Sequence, residues 1–464
     1  MPRDSNPLEP STVTATESAQ ILAFVLLVVF LAYVLAILVP FLRRRPDREG
    51  NADAFTWHAF VPCRDEEVVI GATIERMRSR FPAMHVWVID DDSDDRSAAI
   101  IAERAAVDPH VHLVQRRRPT ARTGKGDALN AAYAQLDAWL PAGTDRSAVV
   151  VVVVDADGIL AENALRQAAG RHAFGNPATG ACQAAVWMSN RDDRDPAGAA
   201  PGRLGRWWSR YLIRMQDIEF RTTIAAMQCL RGRTLSVGLG GNGQFTRLSA
   251  LDAIAQGERT PWHGSLLEDY ELGVHVMLAG FRNVYLHDTH VEQEALPGTR
   301  RLLTQRTRWC QGGMQCARYL LRIFTSPHVT NAGALEASYF LVQPYLQMAG
   351  VLLWPTVFVA MVAQGSVSEG SFWAWFAEAW WLLPLVVITG IAPFALWPLI
   401  YRRHIGERTG IGTTLGWALG YWIYMYQSYV CVPRAFTRIL TSRNGWAKTR
   451  RNAETDHLFV AKEA

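Results

Sequence analysis

The chain predicts an open, mostly parallel α/β sheet flanked by helices and joined to transmembrane helices. Three observations predict it. Short apolar runs alternate with helical patterns across residues 55–290, six consecutive valines stand at 149–154, and long uncharged apolar stretches lie at both ends. Strand–helix–strand alternation gives parallel sheets covered by their own crossover helices. A strand made only of Val is covered on both faces, as the centre of such a sheet must be.

The first element is the apolar stretch 18–42, which carries no charge and is followed by Arg43, Arg44 and Arg45. About 20 apolar residues cross a bilayer core as a helix. The preceding residues are acidic rather than basic, the run is too long for a leader, and no small-x-small site follows, so a retained transmembrane helix is expected. The sheet comes next. Strands are expected at 55–61, 85–89, 111–114 and 149–154, with helices at 68–80, 96–106 and 128–140 between them. Three further uncharged runs, 337–364, 379–401 and 411–433, predict a C-terminal membrane region. Six Cys occur; none forms a CxxC pair and no His/Cys spacing resembles a zinc site, so reduced structural thiols are expected.

Charge sets orientation. Arg43–Arg45 assign the middle region to the cytoplasm, the cation-free 364–378 loop to the outside and the 402–408 loop to the inside. A simple fourth span would leave the basic tail outside, so either one apolar run is interfacial or re-entrant, which is taken first, or the tail breaks the positive-inside rule. The resulting organisation is an extracytoplasmic tail 1–17, a span 18–42, a cytoplasmic domain 43–300, an amphipathic interface 301–336, a membrane region 337–433 and a basic tail 434–464. The net charge of +4 is too small for a nucleic-acid partner. Membrane lipids are the expected surroundings, and a homo-oligomer is left open.

Ligands in open α/β sheets bind beyond the carboxyl ends of the strands, and the polar clusters fall there. The first strand runs into Pro62-Cys63-Arg64-Asp65-Glu66-Glu67, the second into Asp90-Asp91-Asp92, and the valine strand into Asp155-Ala156-Asp157. Acidic residues after strands often cap helices. Two carboxylates flanking one residue also suit Mg²⁺ or Mn²⁺, which take oxygen ligands and substrate phosphates. Gly124-Lys125-Gly126-Asp127 opens a helix, where an anion is favoured; Lys125 is the only lysine before Lys448. A compact ammonium there suits a diphosphate. Glu268-Asp269 begins another helix and offers a cap or a general base. Gln305-Arg306-Thr307-Arg308-Trp309 lies on an amphipathic stretch, read as an interfacial belt or as an arginine for a diphosphate with a stacking tryptophan.

In that order these motifs resemble the membrane-bound glycosyltransferase family 2, which includes cellulose, chitin and hyaluronan synthases and ceramide glucosyltransferase. The family's acidic uridine-binding pair, DxD, ED and (Q/R)xxRW match Asp90/Asp91, Asp155/Asp157, Glu268/Asp269 and Gln305/Arg308/Trp309. Asp65 replaces the usual Asn of the first motif, and Asp127 stands where Gly is common. Gly240-Gly241-Asn242-Gly243 falls where the family has an acceptor-side loop. The resemblance implies a GT-A fold, a UDP-sugar donor and inversion. It implies Asp269 as base beside Glu268, and a donor set of Pro62, Arg64, Glu66, Asp90, Asp91, Lys125, Asp155, Gln305 and Arg308. It further implies Trp309, Gly241 and Asn242 toward the acceptor, and Asp155 with Asp157 for Mg²⁺ or Mn²⁺. Of the two acceptors, a growing β-linked polysaccharide is taken first and a membrane lipid second. A non-catalytic scaffold is disfavoured by the intact carboxylates and Lys125.

Overall fold

The computed structural model describes residues 15–405 and 409–443. The expected tail 1–17 falls almost wholly outside them, as do Lys448, Arg450 and Arg451 of the basic tail. The sheet has eight strands: β1 Thr56–Cys63, β2 His85–Asp91, β3 Val111–Arg116, β4 Val149–Val153, β5 Ile159–Leu160, β6 Thr179–Met188, β7 Gln244–Arg247 and β8 Arg282–Gln293. Their order is β3-β2-β1-β4-β7-β6-β8-β5. The block β3-β2-β1-β4 is parallel. Beyond it β7 runs antiparallel to both neighbours, β6 and β8 are parallel, and β5 closes the edge antiparallel to β8. The sheet is thus mixed, though parallel in most of its pairings.

The valine strand sits between β1 and β7 and is wholly buried. Side chains alternate across a strand, and here Val150 and Val152 join one core with Trp57, Ala59 and Val86. Val149, Val151 and Val153 join the core on the opposite face with Phe60, Trp87 and Leu129. After β3 the chain returns to the other side of β1 to form β4. The strand order therefore reverses between β1 and β4, and a crevice opens beyond their carboxyl ends at such a point.

Three helices among the described residues are long and apolar enough to cross a membrane: Ser18–Leu42, Asn331–Ser368 and Leu383–His404. Phe24, Leu35, Val359 and Ile388 stand exposed along them, as a lipid environment favours and water does not. The second helix starts at a Thr330 cap, whose hydroxyl accepts from the Gly333 N–H at 3.0 Å. Its first turns are not lipid-facing. Ala334, Ala337 and Leu341 pack on Tyr270 and Val274 of the α/β domain and on Tyr319.

The fourth apolar run does not form one span. It breaks into helices Ile411–Met425 and Ser428–Leu440. Fifteen residues reach about 22 Å, short of a hydrocarbon core about 30 Å thick. The second piece lies along helix Thr299–Cys316, with Val432 and Ala435 against Met314. Arg438 Nε donates to Gln311 Oε1 at 2.7 Å, and Gln311 Nε2 donates to the Arg443 carbonyl at 2.9 Å.

Candidate active site

One cavity of about 520 Å³ opens beyond the carboxyl ends of β1 and β4. With one exception, every residue given a donor, acceptor, metal or catalytic role from the sequence reaches its wall: Pro62, Arg64, Glu66, Asp91, Lys125, Asp155, Asp157, Gly241, Asn242, Glu268, Asp269, Gln305, Arg308 and Trp309. The exception is Asp90. It lies fully buried beneath the wall, accepting from Arg117 at 2.8 Å and from the Ser93 N–H at 3.1 Å. Asp91 reaches the wall while paired with Arg116 and accepting from the Arg122 N–H at 3.1 Å. The two aspartates are thereby anchored by the loop that follows β3.

Lys125 is the hub. Its ammonium donates to Asp155 Oδ1 at 2.7 Å and to the Gly241 carbonyl at 2.6 Å. Burial opposes its charge, but Asp155, Glu268 and Asp269 overcome that and raise its pKa above the ordinary value. A Cβ added to Gly241 would lie 3.0 Å from Lys125 Nζ and 3.1 Å from Asp269 Oδ2. A side chain at this position would crowd both the ammonium and the carboxylate. The helix that carries Lys125 is bolted to the segment before Glu268. Asn130 grips Trp262 twice, donating to its carbonyl at 2.8 Å and accepting its N–H at 3.0 Å. Gly126 allows the close approach, since a Cβ there would meet the His263 carbonyl at 2.8 Å.

Glu268 and Asp269 open helix Glu268–Leu278. Protein surrounds both carboxylates, although each keeps some contact with the cavity. Burial raises the pKa of Glu268, against the attraction of Lys125 and Arg308. Burial and then the charge of Glu268 push Asp269 up to about 7, with Lys125 and Arg308 opposing. A carboxylate so tuned can accept a proton near neutrality.

The two aspartates after β4 differ in setting. Asp155 is held by Lys125, and its N–H donates to Asn242 Oδ1 at 3.2 Å. Asp157 Oδ2 accepts from the Glu294 N–H at 3.2 Å. Both face the cavity with hard oxygen donors, a set that fits Mg²⁺ or Mn²⁺.

Helix Thr299–Cys316 presents Gln305, Arg308 and Trp309. The Trp309 ring has the Arg306 guanidinium 4.5 Å over its face and Phe220 edge-on at 6.1 Å. Arg306 pairs with Glu219, which also accepts from Tyr424 at 2.7 Å. At Gly312 this helix is pressed against the chain just before Glu268, where a Cβ would lie 2.6 Å from the Leu267 N–H nitrogen.

Other wall residues have no motif to announce them. Gln183 of β6 orders the glycine loop, accepting from the Gly240 N–H at 2.7 Å and donating to the Asn242 carbonyl at 2.9 Å. Gln293 of β8 accepts from Asn242 at 3.1 Å. Away from the carboxylates the wall becomes more apolar, with Phe220, Ile224, Met227 and Leu296, then Phe340 and Pro344 of helix Asn331–Ser368, interspersed with Gln228, Gln343 and Gln347. Phe220 and Ile224 come from a π-helical turn, Glu219–Ile224, inside an otherwise α-helical stretch. Such turns often mark functional sites.

A sheet with its ligand crevice at the β1/β4 reversal, lined by a DxD and an ED pair and set on apolar helices, defines a membrane-associated glycosyltransferase of GT-A fold. The chain belongs to glycosyltransferase-like family 2, whose family model matches residues 57–312. It is 28% identical over 420 residues to a beta-monoglucosyldiacylglycerol synthase of Synechocystis sp., covering 87% of this chain and 76% of that one. It is 24% identical over 318 residues to an N-acetylglucosaminyltransferase of Rhizobium sp., covering 64% of each. Among solved structures it resembles the mannosyltransferase PcManGT from Pyrobaculum calidifontis, crystallised with GDP-Man and Mn²⁺. That match has a TM-score of 0.54 at 15% identity and covers 92% of this chain and 98% of that one, a likeness of fold.

Proposed function

We propose that this enzyme transfers a single sugar from a UDP-sugar to a hydroxyl of a membrane lipid, with inversion. The observation that carries the acceptor is the continuity of the cavity. It runs from Asp155 and Asp269 to Phe340 and Pro344 on a helix long enough to cross a membrane. A diacylglycerol-like acceptor keeps its acyl chains against the apolar wall and extends its hydroxyl to Asp269. A polysaccharide would press hydroxyls on the apolar part of that wall, each one left without a partner there costing about 1–3 kcal/mol, although Gln343 and Gln347 of the same helix also line it. The Synechocystis relative is named for a glucosyldiacylglycerol product. This reverses the order of the two acceptors read from sequence.

Asp269 removes the acceptor proton, and the alkoxide attacks C1 from the face opposite the diphosphate. Lys125 and Arg308 meet the charge that develops on the leaving group. Trp309 and Asn242 position the acceptor. Asp155 and Asp157 would hold a Mg²⁺ or Mn²⁺ ion, which supplies further charge for the diphosphate when bound. Because the base must be unprotonated, kcat/KM is expected to fall as pH drops through about 7, the value to which Asp269 is raised. An acid limb centred near 4 in a pH–rate series would contradict this.

Ile224→Asp tests the lipid path. A carboxylate in the apolar wall should raise the KM for diacylglycerol about tenfold or more. Slow hydrolysis of the UDP-sugar without acceptor should stay unchanged. Equal lipid KM in variant and parent would remove the path.

Orientation follows the arginines. Arg44 stands 3.4 Å from His404, so the ends of the first and third apolar helices meet beside the catalytic domain. With Arg402 and Arg403 there too, that side is the cytoplasmic one. A cysteine at Ser371 should react with an impermeant maleimide in intact cells, and one at Thr409 only after lysis. The opposite pattern would invert the topology.

A further inference from the structure

We propose that His263, Glu271 and His275 form a zinc site that pins the segment before Glu268 to the helix that carries it. One ring nitrogen from each histidine and one Glu271 carboxylate oxygen lie within 4.8 Å of one another. None of the three belongs to the cavity wall. The donors differ in kind from those of Asp155 and Asp157. Imidazole nitrogen with one carboxylate suits Zn²⁺, whereas oxygen alone suits Mg²⁺ and Mn²⁺.

The histidines are set up as ligands by what their other nitrogens touch. His263 Nε2 lies 2.9 Å from the Thr260 carbonyl. A carbonyl only accepts, so the proton sits on Nε2 and Nδ1 keeps its lone pair. His275 Nδ1 stands 4.0 Å from Glu258 Oε1, beyond hydrogen-bond length. His275 Nε2 is buried and makes no hydrogen bond, and the residue is only 3% exposed. His263, with one nitrogen on an oxygen acceptor, has the usual second-sphere arrangement of a metal-bound histidine, and His275 offers a buried open nitrogen.

Glu271 completes the set. It is fully buried, and its Oε2 accepts from the Ser265 N–H at 3.0 Å. Its Oε1 is taken by Arg318 and by the Tyr319 hydroxyl. Arg322 pairs with Glu258 at 2.8 Å. Both guanidiniums are half-exposed and can turn to water as an ion enters. Glu271 and His275 are four residues apart, hence on one face of helix Glu268–Leu278. His263 comes from the segment just before it. An ion shared by the three would join that segment to the first turns of the helix, two residues from Asp269. The site carries no Cys/His motif, which is why spacing alone gives no sign of it.

The test uses the full-length protein in detergent with Asp157→Ala, so that the acidic site does not contribute. After incubation with Zn²⁺ and gel filtration, mass spectrometry should find about one zinc per chain, and Co²⁺ in its place should give a visible absorption band. His263→Ala and His275→Gln should each lose the metal, and zinc should raise the Tm of the parent but not of either variant. His263 is partly exposed, so its variant remains informative if His275→Gln misfolds. Absence of stoichiometric zinc in the parent, or zinc retained by a folded His263→Ala, would overturn the proposal.

Discussion

Asp269→Asn is expected to cut transfer about 10²- to 10⁴-fold, the usual range for loss of a general base, and to leave donor affinity within a small factor. The substitution keeps the shape and removes the proton acceptor. Lys125 donates to Asp155 and the Gly241 carbonyl rather than to Asp269. Donor contacts through Lys125, Asp155 and Arg308 should therefore survive. Donor affinity by calorimetry, beside UDP release with and without lipid, separates the two effects. The acid limb near pH 7 should disappear in the same variant. If Asp269→Asn loses donor binding as severely as Asp157→Ala, Asp269 belongs to the donor site and the base lies elsewhere.

Lys125→Met is the second large effect. It removes the one ammonium that Asp155, Glu268 and Asp269 share. Removing one partner of a buried pair costs about 3–5 kcal/mol, or roughly 10²- to 10⁴-fold. Donor binding and turnover should both fall on that scale. A further consequence is specific to this geometry. Lys125 holds down the pKa of Asp269 against burial and the charge of Glu268, so the variant's residual activity should have its acid limb at higher pH. Lys125→Arg should recover only part of the loss, because a planar fork cannot meet Asp155 and the Gly241 carbonyl as a compact ammonium does. An unshifted limb in Lys125→Met would separate the lysine from the base.

The first half of the sheet was legible because each signal there is local. The strand expected at 55–61 is Thr56–Cys63, and the helix expected at 128–140 is Lys125–Trp139. The antiparallel half was not. β5 has two residues and β7 four, too short for any period, and β6 is rich in Ala and Gly rather than β-branched residues. The break in the last apolar run was equally hidden, since 411–433 is uncharged throughout and hydropathy does not register the turn at Tyr426 and Gln427. At the site, motifs at strand ends gave the acidic residues and Lys125. They did not give the partners of that lysine, because Asp155, Gly241 and Asp269 are brought to it by long-range packing. The apolar wall was the least legible part. A π-helical turn and a proline-containing membrane helix meet there, and neither carries a pattern tied to the other. That wall is also what supports the proposal of a lipid rather than a polymer acceptor.

The acceptor is therefore the point to measure. The purified protein in nanodiscs containing diacylglycerol should be given radiolabelled UDP-glucose with Mg²⁺ or Mn²⁺, and in parallel a soluble β-linked oligosaccharide. The account predicts label in one lipid product heavier than diacylglycerol by a single hexose, no ladder of longer products, and no extension of the oligosaccharide. Label in a size ladder of polysaccharide, with the diacylglycerol left unmodified, would contradict it.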